Sequence, residues 1–185
     1  MIASKDIVQS LSNDRSKAKI QNLVELIDKE GPDFIEFFAE VDRQKHPVKW
    51  HMTWLLTHFI EKYPEVGQSI QLSIWKLLKA TSNQSMLRDL WCCISHIEIN
   101  DEISGEVYAF ATGTFTSQKH AIAVRAHSLE CACKIAQPYQ ELRDEMALFL
   151  KPLKIMTALV CDLSPKIGFA LFQTKVPLRQ SRKRI

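Results

Sequence analysis

Glycine is scarce in this chain, at 5 of 185 residues. Strand-rich folds use glycine in their turns, so the shortage favours helices. Long apolar runs are missing too. The longest uncharged run, Val107 to Gln118, has 12 residues and is rich in Thr and Gly, well short of the ~20 apolar residues that span a bilayer. The opening stretch "MIASKDIVQSLSNDRSK" has no apolar core of signal-peptide length. Catalytic signatures are absent: there is no Gly-rich phosphate loop, Gly-x-Ser-x-Gly, His-Glu-x-x-His or Asp-x-Asp. No cofactor is therefore expected. The five cysteines include the neighbours Cys92 and Cys93, and Cys131 and Cys133 two apart, but no Cys-x-x-Cys. An odd count without framework spacing suggests reduced thiols and a cytoplasmic setting.

The 46% apolar and 24% charged shares are ordinary for a soluble globular domain. The net charge of +3 is a local property. Residues 175–185, "KVPLRQSRKRI", hold Lys175, Arg179, Arg182, Lys183 and Arg184 and no acid; without those five, 19 basic residues face 21 acidic ones. We divide the chain into a folded domain over 1–174 and a basic, flexible tail over 175–185. Such a tail can attract nucleic acid or an acidic protein surface.

Apolar spacing is helical almost throughout. Ile20, Leu23, Val24 and Ile27 form one stripe, and Phe34, Phe37, Phe38 and Val41 the next. Between them stands "EGP", with Pro32 suited to a first helical turn. Short turns divide the chain into about ten or eleven helices. The segments "KHPVKWHMTW" (45–54), "SNQSMLRDLW" (82–91) and "KHAIAVRAHS" (119–128) each start 37 residues after the last. This register aligns His51 with Arg88 and Arg125, and Trp54 with Trp91. A period near 37 with two helices per unit signals an α-solenoid. One helix pair cannot bury both its apolar faces, and stacking the next pair covers what is left.

"AIAVRAHSLECACKIA" (121–136) resembles the second helix of a HEAT repeat, which opens with an apolar residue and an Arg. Val124-Arg125 fits this, as does Leu87-Arg88 one unit earlier. The likeness covers roughly residues 15 to 155. The acidic residues that usually precede that Arg are missing, and the first copy has His51 instead of Arg. The resemblance implies an all-α, right-handed α-α superhelix of about five helix pairs. It also implies a non-enzymatic protein-interaction scaffold whose second helices line a groove.

On that groove the candidate binding residues are Trp50, His51, Trp54, His58, Arg88, Trp91 and Arg125. The tail adds Arg179, Arg182, Lys183 and Arg184. Packing competes with binding for the tryptophans, which are mostly buried in monomers. For His51, Arg88 and Arg125 the competing role is hydrogen bonding to carbonyls at helix ends. The chain also resembles the HEAT-like alkylpurine DNA glycosylases in helix count, though without a residue-by-residue motif. That second resemblance implies nucleic-acid binding, with Asp89 as the nearest candidate acid. Cys92 and His96 stand at i, i+4, but two further ligands are missing, so no metal is expected.

Overall fold

A computed structural model describes residues 3–13, 16–27 and 31–150. Among these residues there are nine helices and no strand. They are α1 (Ser4–Asn13), α2 (Lys17–Leu26), α3 (Phe34–Arg43), α4 (Val48–Lys62), α5 (Pro64–Ala80), α6 (Gln84–His96), α7 (Asp101–Thr116), α8 (Ile122–Ala136) and α9 (Gln140–Leu150). The remaining expected helices, the boundary at 174 and the tail residues Arg179, Arg182, Lys183 and Arg184 lie outside the described residues. Among those described, no helix is long and apolar enough to cross a membrane.

The helices begin where side chains can satisfy their first N–H groups. The Asp33 carboxylate accepts from the Ile35 and Glu36 N–H groups, and the Asn83 side chain from those of Ser85 and Met86. Asn100 serves α7 in the same way, and Pro64 opens α5. Pro32, expected in the first turn of α3, instead stands just before the Asp33 cap. Gly31 makes the turn into that cap at φ 76°, a left-handed conformation that suits glycine.

The helices stack in two rows. α2, α4, α6 and α8 are successive neighbours in the even row, and α3, α5 and α7 each pack on the even helix that follows. Across the odd row, the Trp75 and Phe110 rings join α5 to α7 at 5.5 Å, and Phe115 and Phe149 join α7 to α9 at 5.8 Å. The core runs between the rows and includes the fully buried Phe37, Met52, Leu55, Phe59, Trp91 and Phe115. Burying each such side chain contributes about 1.5–3 kcal/mol.

Polar contacts bridge units about one repeat apart. The Ala121 N–H donates to Gln84 Oε1 (2.9 Å), and Lys134 Nζ to the Ile97 carbonyl (2.7 Å). Tyr108 OH donates to Glu145 Oε2 (2.7 Å). In the odd row, Glu106 accepts from Lys79 Nζ and Trp75 Nε1; these hydrogen bonds, Lys79's first, hold its carboxyl below the usual range.

Packing between units leaves no room for a side chain at Gly67 in α5. A Cβ there would come within 2.5 Å of Ile97 Cγ2 and 3.0 Å of Ile60 Cγ2, both on buried side chains. Gly105 in α7 faces open space. We expect Gly67→Ala to lose about 1 kcal/mol, because overpacking outweighs the helix-propensity gain. Gly105→Ala should gain about 0.5–1 kcal/mol. Chemical unfolding of the two variants checks the opposite signs.

Candidate functional site

Trp50, Trp54 and His58 stand at i, i+4 and i+8 on α4 and therefore share one side of it. Their rings form a column with His46. Centroids are 6.1 Å apart from His46 to Trp50, 6.1 Å from Trp50 to Trp54 and 5.8 Å from Trp54 to His58. Trp50, Trp54 and His58 are half-buried.

The column is tied to the next unit through Asp89 on α6. Trp50 Nε1 donates to Asp89 Oδ2 at 3.0 Å. Asp89 Oδ1 accepts from Arg88 Nε and its terminal nitrogen at 2.8 and 2.7 Å. The Asp89 backbone carbonyl accepts from Thr57 Oγ1 on α4 at 3.1 Å. Asp89 is 3% exposed, and burial pushes its carboxyl above the ordinary value. Arg88's charge and the hydrogen bonds from Arg88 and Trp50 pull it back without cancelling that effect. The residue nominated as a candidate acid thus has both oxygens bonded and is closed off from solvent.

Two other nominated residues are buried. Trp91 is 0% exposed, packed against Trp75 and Phe110, and His51 is buried with Nδ1 donating to the Leu11 carbonyl near the end of α1. Arg125 Nε donates to the Phe115 carbonyl in the last turn of α7. His51 and Arg125 therefore play the helix-end role, and Arg88 pairs with Asp89 instead. Trp54, His58 and Arg88 keep accessible surface.

Trp54 and Trp91 coincide at a spacing of 37 but differ in environment. A count of 38 residues instead aligns Trp54 with Cys92, buried at the edge of the core, and with the half-buried Glu130; it aligns the half-buried His58 with the exposed His96 and the half-buried Lys134. One residue is ~100° of helix rotation, enough to turn Trp91 into the core.

The odd row carries a feature that the aromatic count hides. Ile35, Leu72, Phe110 and Leu148 are 87%, 57%, 38% and 63% exposed, one each on α3, α5, α7 and α9. They follow one another at 37, 38 and 38 residues. Reading outward positions of the odd helices at the same period would have found them.

The described cysteines, Cys92, Cys93, Cys131 and Cys133, are free and buried. Burial pushes the Cys92 and Cys133 thiols up to about 12, and those of Cys93 and Cys131 well up. They stay protonated at neutral pH and are not ready nucleophiles.

Asp89→Ala should cost about 1–3 kcal/mol, because it leaves the Trp50 N–H without its acceptor. An acid whose carboxyl is raised on folding adds stability that is full below its unfolded value of 3.8 and lost as pH rises through the folded value. The gap between wild type and variant should therefore widen as pH falls from neutral to below 3.8. Urea unfolding across that range checks it, and a narrowing gap would mean the ion pair outweighs burial.

The HEAT repeat domain family matches residues 7–161. No curated protein sequence and no solved structure matches the chain. The two-row stack of paired helices agrees with the family match over most of the chain, and this protein belongs to the HEAT repeat domain family.

Proposed function

We propose that this protein is a protein-interaction scaffold, the general role of HEAT repeat domains, and that its odd row docks a helix of the partner. The apolar series Ile35, Leu72, Phe110 and Leu148 carries this reading. Single exposed apolar residues are common, but here each of four successive odd helices presents one. An amphipathic helix laid across the odd row would cover them with its apolar stripe.

A photo-crosslinking amino acid at Leu72 should give discrete protein adducts in cell extract, and Ile35→Glu, at a side chain that is 87% exposed, should abolish them with little change in stability. Adducts insensitive to Ile35→Glu contradict the reading. Adducts with a second copy of the chain replace the partner by self-association.

The even row supports a second reading, the groove lined by second helices. The Trp54 indole N–H has no acceptor among the described residues and remains available at the surface. Beside it His58 pairs with Glu61 and Arg88 with Asp89, so this face suits a polar partner, with nucleic acid as the alternative. Anisotropy with labelled DNA and RNA, for the full chain and for a chain ending at Thr174, separates groove from tail. Salt-dependent binding by the shorter chain, lost in Trp54→Ala, supports the groove. Binding that disappears with the tail leaves the groove for protein.

A further inference from the structure

Glu61 on α4 and Cys92 and His96 on α6 bring a carboxylate oxygen, a thiol sulfur and an imidazole nitrogen within 4.8 Å of one another. The helical pair Cys92 and His96 is visible in the sequence. Glu61, from the preceding unit, is the ligand that sequence spacing could not supply.

Two of the donors are oriented by a neighbour. His58 Nδ1 lies 2.8 Å from Glu61 Oε2, and His96 Nδ1 lies 2.8 Å from the Cys92 backbone carbonyl. A carbonyl only accepts, so His96 carries its proton on Nδ1, which also lies 3.8 Å from Cys92 Sγ, and Nε2 is the nitrogen that keeps a lone pair. A ring fixed through its other nitrogen is typical of a metal-ligating histidine. The His58 ring donates from Nδ1 to the carboxylate, and its Nε2 is buried without a partner. The field at the sulfur is negative: Glu61, Glu130 and Asp89 act on it, and Arg88 is the opposing cation. The cluster is open to solvent at Glu61 and His96, while Cys92 is 9% exposed.

We propose that Glu61, Cys92 and His96 form a binding site for a divalent ion of the zinc class. Sulfur and imidazole donors select such an ion over magnesium or calcium. Three protein ligands leave a fourth position for water. On binding, the Cys92 S–H bond breaks, a sulfur–metal bond forms and the proton passes to solvent, with no change of oxidation state. The ion joins α4 to α6 and so clasps two successive repeats beside the Trp54 column.

Cobalt(II) is the probe, added to the reduced full chain in a Cys161→Ser background, which removes the one cysteine outside the described residues. The expected result is sulfur-to-cobalt charge-transfer absorption that saturates at one equivalent and is displaced by zinc(II). It should vanish in Cys92→Ser and weaken about tenfold or more in His96→Gln and Glu61→Gln. Zinc(II) should also raise the Tm of the parent protein by mass action but not that of Glu61→Gln. No absorption at saturating cobalt, or absorption that survives Cys92→Ser, overturns the proposal. Glu61 is an exposed residue, so if Cys92→Ser does not fold, Glu61→Gln decides: unchanged affinity there overturns the site.

Discussion

A helix inside the even row of this stack is covered on more than one side. α4 packs beside α2 and α6 and also meets α1, α3 and α5. Its sequence answers that constraint. His51, Met52, Thr53, Leu55, Leu56, Thr57, Phe59 and Ile60 are all buried, leaving a strip at Trp50, Trp54 and His58 that closes on itself by ring stacking. A helix with one buried stripe would be more plainly amphipathic. The density of aromatic and histidine residues in α4 is first a consequence of its place in the stack.

That place also explains the polar bonds between units. A repeat protein must fix the register of each pair against the next, and apolar contact alone does so loosely. Here Trp50 and Thr57 both reach Asp89, one repeat on, while Gln84 takes the Ala121 N–H and Lys134 the Ile97 carbonyl. The Gln84–Ala121 bond stands where the usual acidic residues before the repeat arginine are missing. Asp89 is costly to bury as an ion, and the three donors on its carboxylate offset part of that cost.

The helices and their stacking were legible in the sequence because apolar period and turn residues report directly on local structure. Asn83, as the start of α6, and Pro64, as the start of α5, are in plain view. The site was less legible. Spacing aligned Trp54 with Trp91, yet a helix reads phase to within one residue, and identity at 37 concealed that Trp54 is half-buried and Trp91 fully buried. The roles of Arg88 and Asp89 could not be read, since both depend on Trp50 from another unit. Ile35, Leu72, Phe110 and Leu148 were overlooked because attention to aromatic and basic residues passes over isolated aliphatics. Glu61 joins Cys92 and His96 only once α4 lies beside α6.

Both rows bury aromatic side chains in the shared core, and the odd helices also leave Ile35, Leu72, Phe110 and Leu148 exposed. The one-residue phase that separates Trp91 from Trp54 is the core of this account. Fluorine NMR of the chain carrying 5-fluorotryptophan tests it directly, by comparing resonance positions in light and heavy water. The account predicts a solvent isotope shift for Trp54 and none for Trp91. An equal shift at both would contradict it and return the two tryptophans to a common surface.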